Sequence, residues 1–114
     1  MAFQNKEKLR QLIGEELTEA NKQYGYFCSK HEAYAVLLEE VEELQEALDD
    51  MKQGMSNLWR HIRNDIEPSV TVERGRIIAL DVAEEAIQVA AMWRKLQLFL
   101  EQEAVENAGK ANPI

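Results

Sequence analysis

Proline occurs only at positions 68 and 113 of this 114-residue chain, and the apolar residues on both sides of Pro68 recur at three- and four-residue intervals. That spacing lays them along one face of a helix, whereas a half-buried strand would need alternation. No alternating stretch of useful length is present. Leu, Ala, Glu and Val abound and aromatic residues make up 7%, a composition that favours helix over sheet. The expected fold class is therefore all-α: a four-helix, bundle-like single domain over residues 1–114, with two long antiparallel helices carrying acidic motifs.

The first helix is expected from about Asn5 to Lys22, with Leu9, Leu12, Ile13, Leu17 and Ala20 as its apolar stripe and an end near Gly25. Ser29 followed by Glu32 fits a capping box, in which the serine caps the helix and the acid reaches back. The second helix starts there. Its stripe is Tyr34, Leu37, Val41, Leu44, Leu48 and Met51, and Gly54 supplies a stop. A short third helix is expected over Ser56 to Asp65. Pro68 breaks the chain, Ser69 or Thr71 caps the fourth helix, and that helix runs from about Val72 to Glu103. The tail, about 104–114, reads as frayed.

Charge excludes several classes. With 21 acidic and 13 basic side chains the formal net charge is -8, which argues against a nucleic-acid partner, since phosphate-backbone binding rests on clustered Lys and Arg. The lone Cys28 can form neither an internal disulfide nor a cysteine-based zinc site. No apolar run approaches membrane-spanning length, and the N-terminus, charged from Lys6 onward, has no apolar signal region. The expectation is a cytoplasmic protein with no membrane partner.

The second helix holds the most informative pattern. Between Glu39 and Asp50 stand seven acids and no base, including the like-charge i,i+4 pairs Glu39–Glu43, Glu42–Glu46 and Glu46–Asp50. Each such pair costs a few tenths of a kcal/mol, and nothing in the helix offsets it. Glu42 and Glu46 lie opposite the apolar stripe and should face water. Glu40 is different, because its neighbours Val36, Leu37 and Leu44 are apolar, placing it at the margin of the buried stripe beside Glu43. A buried carboxylate needs a partner.

The fourth helix supplies a matching stripe. From Ile77 to Trp93 only Asp81, Glu84, Glu85 and Gln88 are polar, and helical geometry gathers them within about 100° of arc. The rest is apolar nearly all round, as in a core helix. Either stripe alone reads most simply as a solvated face. Together, if the two helices pack antiparallel, they converge on a carboxylate site. Oxygen ligands without His or Cys suit hard cations, so Mg²⁺, or Mn²⁺, is expected over zinc. No Glu-x-x-His pair, Gly-rich phosphate loop or nucleophile triad can be assembled.

The segment Leu38-Glu39-Glu40-Val41-Glu42-Glu43-Leu44 resembles the E-E-x-x-E-L motif of the MazG-like, all-α nucleoside triphosphate pyrophosphohydrolases, and Glu84-Glu85-Ala86-Ile87-Gln88-Val89 resembles that family's second motif, E-x-x-D followed by apolar residues. The resemblance spans roughly residues 32–96. It implies an oligomeric helical bundle, usually a dimer or a pair of dimers, that holds Mg²⁺ on four acids and splits a nucleotide into monophosphate and pyrophosphate. By position, Glu40, Glu43 and Glu85 would be metal ligands, with Glu39 the outer acid and Glu39 and Glu40 the catalytic pair. The chain departs from the pattern at Gln88, where the family has Asp. Asp81, one turn before Glu85, is our candidate replacement.

If the chain is such an enzyme, Lys95 is the first candidate to contact phosphate, with Arg74, Arg76 and Arg94 behind it, while Tyr24, Tyr26, Phe27 and Trp59 are candidates to stack on a base. Two non-catalytic readings compete. One is a helical interaction protein that keeps the fold without the chemistry; the other is a coiled-coil-like assembly factor using the heptad spacing of the second helix. Self-association is expected on physical grounds too, because three other helices in so short a chain would not cover the apolar fourth.

Overall fold

The structure, a computed structural model, describes residues 6–110, which form three helices and no strand: α1 (Lys6–Tyr24), α2 (Lys30–Arg63) and α3 (Ser69–Lys110). The all-α expectation holds, and the count of four helices does not. Helix α2 runs straight through Gly54, so the expected short helix at Ser56 is its last turns. A glycine inside a helix costs only about 1 kcal/mol relative to alanine, and no proline or second glycine follows it before Pro68. Half-buried residues on both sides of Gly54 keep that helix against α3.

The ends follow from local hydrogen bonding. Ser29 caps α2 as expected, its hydroxyl accepting the Glu32 N–H at 3.1 Å. Helix α3 starts at Ser69 and not at Val72, because the Pro68 carbonyl already accepts the Val72 N–H at 2.9 Å. Neither Ser69 nor Thr71 is the cap; the Glu67 carboxylate accepts from the Ser69 N–H at 2.8 Å and from its hydroxyl. The residues expected to fray remain helical as far as Lys110, while Asn5 and residues 111–114 lie outside the described residues.

Helices α2 and α3 form an antiparallel hairpin. A short turn closes one end, with Asp65 in the left-handed region (φ 54°) that Asp tolerates and His61 Nδ1 3.0 Å from Thr71 Oγ1. At the other end Lys30 pairs with Glu103 at 3.2 Å. Gly25, at φ +73°, turns the chain from α1 into the approach to α2. The backbone of α1 runs close to α3 and farther from α2, which it meets through the side chains of the core, so a cleft opens between α1 and α2.

The core is small and sits where α1 covers the hairpin: Leu17, Phe27, Ala33, Leu37, Ala91 and Met92. Beyond it the two long helices continue alone. The molecule extends 79 × 29 × 25 Å with a radius of gyration of 19.9 Å, against about 13 Å for a compact domain of this length. The stripe expected on α2 divides into two rows. Leu37, Leu44 and Met51 belong to a row that also contains Ala33, Glu40, Ala47 and Gly54 and is turned toward α3. Tyr34, Val41 and Leu48 are exposed. Likewise α3 is no fully buried helix, since Ile77, Leu80 and Trp93 are exposed. Among the described residues, no helix is long and apolar enough to cross a membrane.

Candidate metal centre

Glu40 does not stand at the margin of the buried face of α2 but in the middle of it, between Leu37 and Leu44 in the row that meets α3. Glu43 follows one turn later on the same side, and the antiparallel register brings Glu85 of α3 opposite. One carboxylate oxygen from each of Glu40, Glu43 and Glu85 lies within 4.8 Å of the others, and all three residues are half-buried. Two helices thus converge three acids that local helix geometry alone could not bring together.

This proximity has an electrostatic signature. Burial first, and then the like charges of Glu43, Glu85, Glu39 and Glu16, push the Glu40 carboxyl up from its ordinary 4.5 to about 7. Glu85 is raised too, first by desolvation and then by the charge of Glu43 and a hydrogen bond with it. Both shifts are what burial, and then crowding by like charges, do to a carboxyl.

Gln88 lies one turn beyond Glu85 and between the two chains of acids. With its amide nitrogen turned to the acids it donates to Glu40 at 3.0 Å and to Glu85 at 3.2 Å, the orientation that satisfies both sides. Turned the other way, the amide would present a fourth oxygen to the same point. Asp81 and Glu39 are exposed and stand outside the three converging oxygens. Asp81 still acts at a distance, as one of the charges that raise Glu85. The site as built is three carboxylates and an amide, with Asp81 at its edge.

Lys95 is buried, two turns along α3 from Gln88. Its ammonium donates to the Gly25 carbonyl at 2.7 Å and sits 4.4 Å from the centre of the Phe27 ring. Desolvation lowers its pKa, and Glu32 opposes that shift. It thereby ties the α1–α2 turn to α3, while also standing on the wall of the cleft between α1 and α2. That cleft, of ≈ 350 Å³, is lined by Glu40 and Gln88 as well as Lys95. Tyr24 and Phe27 line it too, but Trp59 lies nineteen residues from Glu40 on one helix, about 28 Å away. Arg76 is engaged by Glu73 at 2.7 Å, and Arg94 by Gln97 at 2.7 Å.

Glu16 and Glu19 of α1 also line the cleft, and neither was singled out in the sequence. The signal existed for Glu16. Its helical neighbours at three and four residues are Leu12, Ile13, Glu19 and Ala20, the same three-to-one apolar majority that marks Glu40.

Oxygen donors only, three of them anionic, form a set suited to a hard divalent cation. The excess negative charge and the raised carboxyls fit such an ion, and the Gln88 amide reduces the charge by one relative to four acids. The same geometry also suits a cluster that shares protons and amide hydrogens with no ion at all. No family model matches the sequence, and comparison with curated proteins and with solved structures finds no match.

Proposed function

We propose that this protein is a Mg²⁺-dependent nucleotide pyrophosphohydrolase-like enzyme, hydrolysing a nucleoside triphosphate to monophosphate and pyrophosphate. The observation that carries this reading is the convergence of Glu40, Glu43 and Glu85 on one point beside a cleft, with no basic side chain among them. The motif resemblance supplies the substrate class. Mg²⁺, or Mn²⁺, held on these acids would polarise phosphate oxygens and acidify a bound water.

The chain's own residues have distinct roles in this scheme. Glu40 would be a ligand to the cation and, with Glu39, one of the two acids placed to orient the attacking water. Glu39 is the outer acid, exposed at the cleft mouth. The Lys95 ammonium spends one of its three hydrogens on Gly25 and offers the others to phosphate oxygens. The active form is a homodimer or a dimer of dimers. A non-catalytic helical interaction protein is the second reading, favoured by the Gln88 amide, which answers Glu40 and Glu85 without an ion.

Calorimetric titration of Mn²⁺ and Mg²⁺ decides between them. The wild type should bind, and Glu40→Gln combined with Glu43→Gln should not. Gln88→Glu, which adds an acid and removes the competing amide donor, should tighten binding roughly tenfold. Pyrophosphate release from a panel of nucleoside triphosphates then tests the chemistry. A folded wild type that binds neither metal, with or without nucleotide, would leave the interaction protein.

A further inference from the structure

Tyr34, Val41, Leu48, Met55 and Ile62 fall at strict seven-residue intervals along the whole of α2, and each is between 37% and 66% exposed. They form a row of their own beside the row that packs on α3. A seven-residue apolar repeat holds its line only when the helix supercoils around another helix. Every residue of the row stays exposed beside α1 and α3, and the backbone of α1 does not come close to that of α2. Exposed Leu38 and Trp59 flank the row, and among the described residues it has no partner.

The charges of α2 indicate what that partner is. Its first part, Lys30 to Asp50, carries eight acids and one base; its last part, Met51 to Arg63, carries Lys52, Arg60 and Arg63 and no acid. Two copies of α2 laid parallel would set acids against acids along more than half their length. Laid antiparallel about Leu48, residues 33–45 of each copy, with Glu39, Glu40, Glu42 and Glu43, meet residues 51–63 of the other, which hold Lys52, Arg60 and Arg63 and no acid, so that acids meet acids only at Glu46 and Asp50 beside the axis. The apolar repeat has the same symmetry. It is centred on Leu48, so a two-fold axis there puts Tyr34 opposite Ile62 and Val41 opposite Met55, the self-complementary arrangement of an isologous contact.

We infer that α2 pairs antiparallel with α2 of a second copy of this chain along the Tyr34–Val41–Leu48–Met55–Ile62 seam, with the two-fold axis at Leu48. This deepens the homo-oligomer of the proposed function by naming its face and polarity, and it requires neither a bound ion nor catalysis.

Light scattering on the full chain at tens of micromolar should return twice the chain mass of 13.1 kDa. Leu48→Lys, an exposed position that meets its own copy at the axis, should raise the dimer Kd at least a hundredfold. The helical signal by circular dichroism should stay unchanged. Disulfide trapping fixes the polarity in a Cys28→Ser background. Tyr34→Cys mixed with Ile62→Cys should cross-link to each other, neither should cross-link with itself, and Leu48→Cys should. A monomeric wild type, a dimer indifferent to Leu48→Lys, or Tyr34→Cys cross-linking with itself would each overturn the inference. Should Leu48→Lys fail to fold, the trapping results on the other variants still decide it. Loss of metal binding with the dimer intact would strike the enzyme reading alone.

Discussion

The residue that concentrates the chemistry is Glu40, and its environment makes its contribution to stability depend on pH. In the unfolded chain this carboxyl releases its proton near 4.5; in the folded chain it keeps it until about 7. Between those values the folded state binds more protons than the unfolded, so stability falls as pH rises. The contribution is fully present below 4.5 and gone above 7. Glu85, also raised, adds a change of the same sign. In metal-free buffer the urea midpoint of the wild type should therefore decline relative to that of Glu40→Gln across this window. A difference between the two that stays flat from about pH 4 to 8 would mean that Glu40 titrates like a solvated acid. A divalent cation at the proposed site would have to displace the retained proton, so its apparent affinity should climb as pH rises through 7.

At the scale of elements, the long α2–α3 hairpin carries two small residues where it gains least from packing. Gly54 and Gly75 are both helical and half-buried, they line one gap between the two helices, and a Cβ at either would meet nothing within 4 Å. Alanine removes unfolded-state freedom and adds apolar surface without strain. Gly54→Ala and Gly75→Ala should each stabilise by about 0.5–1 kcal/mol in denaturant melts. A loss of stability in either would show that the helices close further there than this structure has them. The same helices show what the sequence made legible. The Ser29 cap, the antiparallel pairing and the meeting of Glu40, Glu43 and Glu85 follow from local patterns plus one packing assumption. The face of α2 does not. Two apolar rows lie side by side on that helix, and the row turned to α3 contains Ala33, Ala47 and Gly54, whose small side chains contribute little to any hydrophobic pattern. The larger Tyr34, Val41 and Leu48 dominate the reading although they face away. Glu16 shares the apolar neighbourhood of Glu40 and was legible on that ground, whereas Glu19, with only Glu15, Glu16, Lys22 and Gln23 at helical spacing, has no local signature: what it faces depends on the position of α1 against α3.

Over the whole molecule, order should be unevenly distributed. Among the described residues, the six buried apolar ones lie in α1, in the Phe27 turn, in Ala33–Leu37 or in Ala91–Met92, and the hairpin beyond has α2 and α3 facing only each other. Two helices without a third layer bury little, and local opening costs least where apolar contacts are fewest. In dilute protein, amides of residues 50–63 and 69–80 should therefore exchange with solvent faster than those of residues 33–44 and 85–96. Self-association along α2 changes this selectively. Met55 and Ile62 belong to the poorly supported end, and the inferred antiparallel contact would set them against Val41 and Tyr34 of the other copy, which are anchored beside the core. The well-ordered end of each copy would then brace the loose end of its partner. Protection at residues 50–63 should accordingly rise with protein concentration, while that at residues 85–96 should not. Leu48→Lys should hold the former at its dilute value at every concentration. Equal protection along the whole of α2 in dilute monomer would instead make the hairpin a single cooperative unit, stable without a second copy.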